Sequence, residues 1–130
     1  MSSIDPRPNL VSMIGSCNSE LKSEGKLYLL IEFCEHGDLQ KYLKEHKTGI
    51  LSGKEHDEIN IKCLLKWLCD VAKGMQYLEE NHIMHGDLAA RNILLGENLI
   101  NTQVPLAKVA DFGLAKRFYD YLCLAFNTYA

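Results

Sequence analysis

The chain has 130 residues, of which 47% are hydrophobic and 24% charged, and its formal net charge is −3. These values are ordinary for a globular protein of one domain or part of one, and they exclude wholesale disorder. The slightly acidic balance leaves no basic surface for nucleic acid, so no nucleic-acid partner is expected. No apolar run approaches the roughly 20 residues of a membrane span, and the first residues do not form a secretory signal.

The cysteines indicate a reducing compartment, which favours a cytoplasmic location. Their number is odd and no C-x-x-C motif occurs, so neither a disulfide framework nor a zinc ribbon is expected. We expect most of them to be buried apolar side chains. The five are Cys17, Cys34, Cys63, Cys69 and Cys123.

The first half of the chain predicts a hairpin followed by a short helix. Apolar residues favour strands over 10–14 and 26–32, with a turn before the second strand at Gly25. Asp38 is typical of a helix N-cap and predicts a helix over 39–46. A polar stretch over 47–57 then predicts a loop.

The second half is dominated by one long amphipathic helix from residue 61 to about residue 81. Its apolar positions recur at steps of three and four and predict a buried stripe, which consists of Ile61, Leu64, Leu65, Leu68, Val71, Ala72, Met75 and Leu78. Short strands are predicted over 83–85, 93–95 and 107–110, with a turn over 96–105.

Two motifs carry the chemistry. Residues 85–92 fit the pattern H-x-D-L-x-x-x-N, and Asp111-Phe112-Gly113 begins 19 residues after Asn92 (111 − 92 = 19). Phosphoryl transfer requires a base for the acceptor hydroxyl and oxygen ligands for Mg²⁺. Asp87 is the candidate base, and Asn92 and Asp111 are the candidate magnesium ligands.

These motifs resemble the catalytic domain of a protein tyrosine kinase, specifically of the receptor type. Serine/threonine kinases usually carry Lys where this chain has Ala89, and in tyrosine kinases Arg91 takes over that catalytic support. The resemblance implies a partial protein-kinase-like α+β fold: the end of the small lobe, the hinge and the first half of the helical large lobe. It also implies ATP and Mg²⁺ as cofactors and protein tyrosine as the substrate.

The stretch over 30–39 resembles the hinge that joins the two kinase lobes. By this resemblance Ile31 is the gatekeeper, and backbone groups of Glu32 and Cys34 meet the adenine ring. Leu94 is expected beneath that ring.

The resemblance also implies regulatory residues. His85 and Phe112 are expected to stack in the regulatory hydrophobic column, with His85 as a packed rather than a titrating side chain. Tyr119 and Tyr121 are candidate phosphorylation sites at the start of an activation loop. Gly86 stands where most of the family has Arg, which predicts weaker control by activation-loop phosphate.

The resemblance divides the chain into small-lobe strands (1–32), hinge (33–37), large-lobe catalytic core (38–121) and an atypical tail (122–130). These 130 residues contain no G-x-G-x-x-G, no V-A-I-K and no A-P-E. Because the phosphate loop and the strand Lys stabilise the transferring charge, we expect the chain to be incomplete and inactive.

Two alternatives remain open: a non-catalytic truncated product that acts by protein interaction, and a small-molecule phosphotransferase of the aminoglycoside kinase type. The tetrapeptide at 85–88 also occurs at 36–39, but Leu43 stands where the catalytic copy has Asn92. The first copy is therefore expected to be a turn and a helix cap. Zinc is disfavoured, because only His82 and His85 lie close together and no Cys stands at ligand spacing.

Overall fold

The computed structural model describes residues 7–17, 25–46, 59–98 and 104–117. Within these ranges, three two-stranded antiparallel sheets and two helices give the chain its α+β character. The elements in chain order are β1 (Met13–Cys17), β2 (Tyr28–Ile31), α1 (Leu39–Glu45), α2 (Ile61–Glu80), β3 (Ile83–Met84), β4 (Ile93–Asn98), β5 (Pro105–Val109) and β6 (Lys116–Arg117). Single 3₁₀ turns at Ala90–Asn92 and Phe112–Leu114 carry the two motifs.

The hairpin of β1 and β2 confirms the predicted strand pair but corrects its first boundary. Strand β1 begins at Met13, three residues later than predicted, because the preceding segment pairs elsewhere. The Asn9 carbonyl accepts the Val109 N–H at 2.9 Å, and the Val11 N–H donates to the Val109 carbonyl at 2.9 Å. Leu10 is therefore buried beside β5 rather than in the hairpin.

Helix α1 begins where the sequence predicts. The carboxylate of Asp38 accepts the Lys41 N–H at 2.8 Å, which satisfies one of the free donors of the first turn. The helix ends at Glu45, with His46 as its C-cap.

Helix α2 confirms the predicted long helix, and Asn60 caps it by accepting the Lys62 and Cys63 N–H groups at 3.0 and 3.2 Å. The predicted stripe is only partly buried, because Ile61 and Leu68 are about two-thirds exposed and Leu65 is also exposed. The buried line lies to one side of that stripe, and it consists of Cys63, Trp67, Asp70, Gly74 and Leu78. The described residues thus bury only one edge of the apolar stripe on α2.

Polar contacts fix β5 across this buried line. The Trp67 Nε1–H donates to the Pro105 carbonyl at 2.9 Å, and the Asp70 carboxylate accepts the Ala107 N–H at 3.2 Å. The Lys66 ammonium lies 2.6 Å from the same carboxylate and neutralises it. At Gly74 a Cβ would lie 2.6 Å from the Asn9 carbonyl oxygen, so only glycine allows this close approach.

Strand β4 corrects the predicted turn at 96–105, because it continues through Gly96 to Asn98, which pairs with Pro105 beyond a bulge. The core lies between α2 and the sheet of β4 and β5, and it contains Leu10, Ile59, Cys63, Trp67, Leu78, Ile93, Leu95, Ala107 and Val109.

The described cysteines form no disulfide bonds. The prediction that most are buried holds for Cys34 and Cys63 but is wrong for Cys17 and Cys69, which are exposed. Cys123 lies outside the described residues. No helix in the described ranges is long and apolar enough to cross a membrane.

Candidate active site

The catalytic segment brings three predicted residues together around one carboxylate. Asp87 Oδ1 lies 2.7 Å from Arg91 Nη2, and Asp87 Oδ2 accepts from Asn92 Nδ2 at 2.9 Å. The same Nδ2 donates to the Asp87 backbone carbonyl at 2.8 Å. The 3₁₀ turn at Ala90–Asn92 makes this possible, because it folds the chain back on Asp87 within five residues.

These contacts fix the orientation of both polar side chains. The Asp87 carboxylate is half-buried and held by a cationic and a neutral donor, which leaves lone pairs for an incoming hydroxyl. Asn92 is buried and uses its amide nitrogen for Asp87, so its Oδ1 is the atom that can face a cation.

Asp111 is brought next to this segment through the residue before it. The Ala110 N–H donates to the Asn92 carbonyl at 2.8 Å, and the Ala110 carbonyl lies 2.8 Å from His85 Nε2. Asp111 itself is exposed with a left-handed backbone (φ 60°), and its Oδ1 accepts the Gly113 N–H at 3.3 Å. The Asp111-Phe112-Gly113 motif therefore lies directly against the segment over 85–92.

The donor set fits magnesium bound together with phosphates. In the described part of the chain no three His, Cys, Asp or Glu side chains cluster in a way that could hold a metal ion alone. One carboxylate and one amide oxygen, from Asp111 and Asn92, are instead the hard ligands that Mg²⁺ uses when nucleotide phosphates complete its shell. The residues present thus fit the implied Mg²⁺–ATP pair.

His85 confirms the prediction of a packed histidine. It is 1% exposed, and its Nδ1 accepts the Asp87 N–H at 3.2 Å. Because that backbone group can only donate, the ring proton lies on Nε2 and is donated to the Ala110 carbonyl. The His85 ring also contacts the Phe112 ring at a centroid distance of 5.4 Å, so the two predicted column residues are in contact.

The end of the predicted hinge segment pairs with β4, the strand that contains Leu94. The His36 N–H donates to the Leu95 carbonyl at 3.1 Å, and the Leu95 N–H donates to the Gly37 carbonyl at 2.9 Å. Asp38 and Leu94 form an isolated antiparallel β-bridge. The three residues predicted to contact adenine, Glu32, Cys34 and Leu94, thus belong to neighbouring segments. Ile31, the predicted gatekeeper, ends β2 and is half exposed.

An ion pair at the hinge was missed by the sequence analysis. The Glu32 carboxylate lies 2.6 Å from the Lys108 ammonium, and it also accepts the Ser12 N–H at 2.6 Å. Burial raises the pKa of Glu32, but the Lys108 and Ser12 hydrogen bonds together with the Lys108 charge outweigh it, so the pKa lies below its ordinary value. The partners are 76 residues apart, and no local pattern marks them.

The thiol of Cys34, in the predicted hinge, has a raised pKa. Burial raises the pKa of Cys34, and the nearby Glu32 charge raises it further against the opposing influence of Lys108. The thiol is therefore protonated at neutral pH, which makes it a poor nucleophile.

The first copy of the repeated tetrapeptide is a turn and a helix cap, as predicted. Its Asp38 caps α1, whereas Asp87 contacts Arg91 and Asn92. The candidate phosphorylation sites Tyr119 and Tyr121 lie outside the described residues.

Comparison with known proteins agrees with this geometry. The family model for protein tyrosine and serine/threonine kinases matches residues 1–124. The chain is 35% identical over 119 residues to the angiopoietin-1 receptor of Danio rerio, covering 87% of this chain and 10% of the relative. It is 39% identical over 114 residues to the tyrosine-protein kinase Btk of Drosophila melanogaster, covering 87% and 12%.

A fibroblast growth factor receptor of Hydra vulgaris is 32% identical over 121 residues, covering 92% of this chain and 14% of the relative. The chain thus spans between 10% and 14% of the length of these relatives. With a family model that matches nearly every residue and a catalytic segment folded around Asp87, the chain belongs to the protein tyrosine and serine/threonine kinase family.

Proposed function

We propose that this chain carries the nucleotide- and metal-binding part of a protein tyrosine kinase catalytic site, which transfers the terminal phosphoryl group of ATP to a tyrosine hydroxyl. The observation that supports this most strongly is the Asp87 carboxylate held between Arg91 and Asn92. The Ala110–Asn92 hydrogen bond adds Asp111 to the same site.

In the proposed reaction Asp87 receives the proton of the tyrosine hydroxyl as its oxygen bonds to the terminal phosphorus. The bond from that phosphorus to the bridging oxygen breaks, and ADP leaves with the electron pair. Asn92 Oδ1 and the Asp111 carboxylate would hold Mg²⁺, which neutralises the phosphate oxygens when bound. The Arg91 guanidinium, 2.7 Å from Asp87, supplies the positive charge on the acceptor side.

Tyrosine is favoured over serine or threonine as the acceptor by Ala89 and Arg91. Position 89, where serine/threonine kinases usually carry Lys, is Ala here, and Arg91 supplies the positive charge at Asp87 instead. Two of the three relatives carry receptor names, which favours a receptor-type parent.

The adenine end of the site is assigned to the hinge. We assign the Glu32 carbonyl and the Cys34 N–H to the adenine edge, and the Leu94 side chain to its lower face. The pairing of residues 36–38 with β4 supports this assignment, because it fixes Leu94 relative to the hinge.

The remaining assignments extend this proposal to the whole chain. We divide it into small-lobe strands (1–32), hinge (33–37), catalytic core (38–121) and tail (122–130), and we assign regulatory roles to His85, Phe112, Tyr119 and Tyr121. A reducing, cytoplasmic location is supported by the odd number of cysteines, by the lack of a C-x-x-C motif in the sequence and by the need for ATP.

These 130 residues alone are proposed to bind Mg²⁺–ATP weakly and to transfer no phosphoryl group. They contain no G-x-G-x-x-G motif and no V-A-I-K lysine, the groups that would stabilise the transferring charge.

The test uses purified 1–130 and a fluorescent N-methylanthraniloyl ATP, titrated with and without Mg²⁺. The wild type is expected to bind the nucleotide more tightly with Mg²⁺ than without it. Asp111→Asn is expected to lower the affinity in the presence of Mg²⁺ about tenfold, or by about 1.4 kcal/mol. Glu45→Gln is the matched control, because it removes one carboxylate from the exposed end of α1. A wild type without any Mg²⁺ dependence would contradict the proposal.

A second arm offers radiolabelled ATP with a tyrosine peptide or an aminoglycoside. No transfer to either acceptor is expected. Transfer to the aminoglycoside would favour the small-molecule phosphotransferase, and transfer to the peptide would refute the proposed inactivity of these residues. A wild type that binds no nucleotide at all would favour the non-catalytic alternative.

A further inference from the structure

One side of the apolar stripe on α2 lines an open groove. The first part of this groove is a hollow of about 410 Å³ between α1 and α2, and the residues that line it carry no charge. Leu68 in this hollow is 67% exposed and Leu88 is 48% exposed, although both are large apolar side chains. The lining also includes Leu39, Leu43, Leu64 and Val71.

The groove continues along α2 towards its C-terminal end. A second, mainly apolar hollow of about 450 Å³ is lined by Met75, Ile83 and Met84, and it shares Leu88 with the first hollow. Eleven residues separate Leu64 from Met75, so this part of α2 is about 17 Å long. An extended segment of five residues has about the same length, at about 3.3 Å per residue. We call the two hollows together the α2 groove.

Strand β6 brings the chain to this groove. Lys116 pairs with Met84 and Arg117 pairs with Ile83, so the last described residues lie beside the lining of the second hollow. Residues 118–130 follow in the sequence and lie outside the described residues. An extended chain places Leu122 up to about 17 Å from Arg117, and residue 126 up to about 30 Å. The tail is therefore long enough to reach the whole groove.

The tail also has the composition that an apolar groove favours. Residues 121–130 contain no charged side chain, and residues 122–126 are five apolar residues in a row, Leu-Cys-Leu-Ala-Phe. Burial of apolar surface is favourable by about 25 cal/mol per Å². Because the tail is covalently attached beside the groove, its effective concentration there is of millimolar order, which favours it over a second copy of the chain or a separate protein.

We propose that residues 122–126 pack along the α2 groove, so that the chain's own tail covers the apolar face that the other residues leave open. Because Leu88 directly follows Asp87, the packed tail also supports the candidate catalytic segment. This proposal requires only the fold of α1 and α2 and is independent of nucleotide binding.

Nuclear Overhauser spectroscopy of the purified 1–130 chain with labelled methyl groups tests the contact directly. Signals are expected between the Phe126 ring and the methyl groups of Leu68 or Val71 within one molecule. A sample mixed from labelled and unlabelled chains reports only contacts between molecules, and none are expected there. Contacts between molecules would assign the groove to a second copy, and either that result or the lack of any contact between Phe126 and the groove would overturn the proposal.

Urea unfolding measures the energetic effect of the same contact. Phe126→Ser is expected to raise the unfolding equilibrium constant at least about tenfold, because it removes a buried aromatic side chain. Phe33→Ser makes the same change at a residue that is 84% exposed, and it is expected to alter that constant by about twofold or less. Equal effects of the two substitutions would contradict the packing of the tail.

A double-mutant cycle identifies the surface that Phe126 contacts. Leu68→Ser and Leu65→Ser make the same change on α2 at residues that are 67% and 55% exposed, but of the two only Leu68 lines the groove. The effect of Phe126→Ser should shrink by at least about twofold in the Leu68→Ser background and should stay unchanged in the Leu65→Ser background. An effect that is the same in both backgrounds would overturn the proposal, because Phe126 would then be packed elsewhere.

Discussion

Replacing Lys108 with methionine should destabilise the chain by about 2 kcal/mol. The Lys108 ammonium lies 2.6 Å from the Glu32 carboxylate, and the two side chains are 14% and 24% exposed. A charged hydrogen bond contributes about 1.5–3 kcal/mol, and loss of one partner of a fully buried pair costs about 3–5 kcal/mol. Because this pair keeps some solvent contact, the lower range applies. Methionine preserves most of the apolar stem.

The matched control is Lys41→Met. The Lys41–Glu45 pair is 3.8 Å apart, and its side chains are 72% and 56% exposed. Such helix-surface pairs contribute only about 0.3–0.5 kcal/mol. Urea unfolding followed by circular dichroism measures both variants against the wild type. An equal cost for the two substitutions would refute the assigned role of the hinge ion pair.

The pH dependence of this prediction has a definite sign. The pKa of Glu32 is held below its ordinary value of 4.5 in the folded chain, so its stabilisation is fully present above that value. The stabilisation is lost as the pH falls through the lower folded pKa. The difference between wild type and Lys108→Met should therefore shrink from about pH 7 to about pH 3, and a difference that stays constant would contradict the ion-pair explanation.

Substitutions at three positions of α2 and its N-cap are tested by the same urea unfolding. Asn60→Ala removes the N-cap and should cost about 1 kcal/mol, whereas Asn60→Asp should restore most of it. Trp67→Phe leaves the Pro105 carbonyl without its indole donor and should cost about 1–3 kcal/mol. An unchanged free energy of unfolding would contradict this hydrogen bond. Gly74→Ala puts a methyl group 2.6 Å from the Asn9 carbonyl and should cost about 1–3 kcal/mol despite the higher helix propensity of alanine, so any gain in stability would refute this contact.

The clustering of the candidate catalytic residues was predictable because their spacing is local. Asn92 stands five residues after Asp87, and one 3₁₀ turn is enough to bring the two side chains together. The same spacing rule separates the catalytic copy of the tetrapeptide from the copy at Asp38, where Leu43 takes the place of Asn92. Residue type and local backbone geometry are therefore enough to predict that Asp87 and Asn92 are in contact.

Long-range pairings were not predictable from one sequence. The apolar neighbours of Leu10 predict that it belongs to the first strand of the hairpin. Its segment instead pairs with β5, because the Asn9 carbonyl and the Val11 N–H both bond to the backbone of Val109. Glu32 follows directly after β2 and Lys108 lies in β5, and only the tertiary fold brings the two charged residues together. Periodicity along α2 likewise identifies an apolar stripe but does not indicate that Leu65 and Leu68 lie at its uncovered edge.

The central claim is that Asn92 and Asp111 share one divalent cation beside the Asp87 carboxylate. Paramagnetic broadening by Mn²⁺ bound with a non-hydrolysable ATP analogue tests this directly in nuclear magnetic resonance spectra of the chain. First-shell oxygens lie about 2 Å from such an ion, so the signals of the Asn92 side-chain amide and of the Gly113 amide should disappear together. The Cys69 amide signal on α2 should persist, and Asp111→Asn should restore the lost signals. Broadening that spares Asn92, or that is unchanged in Asp111→Asn, would contradict the claim.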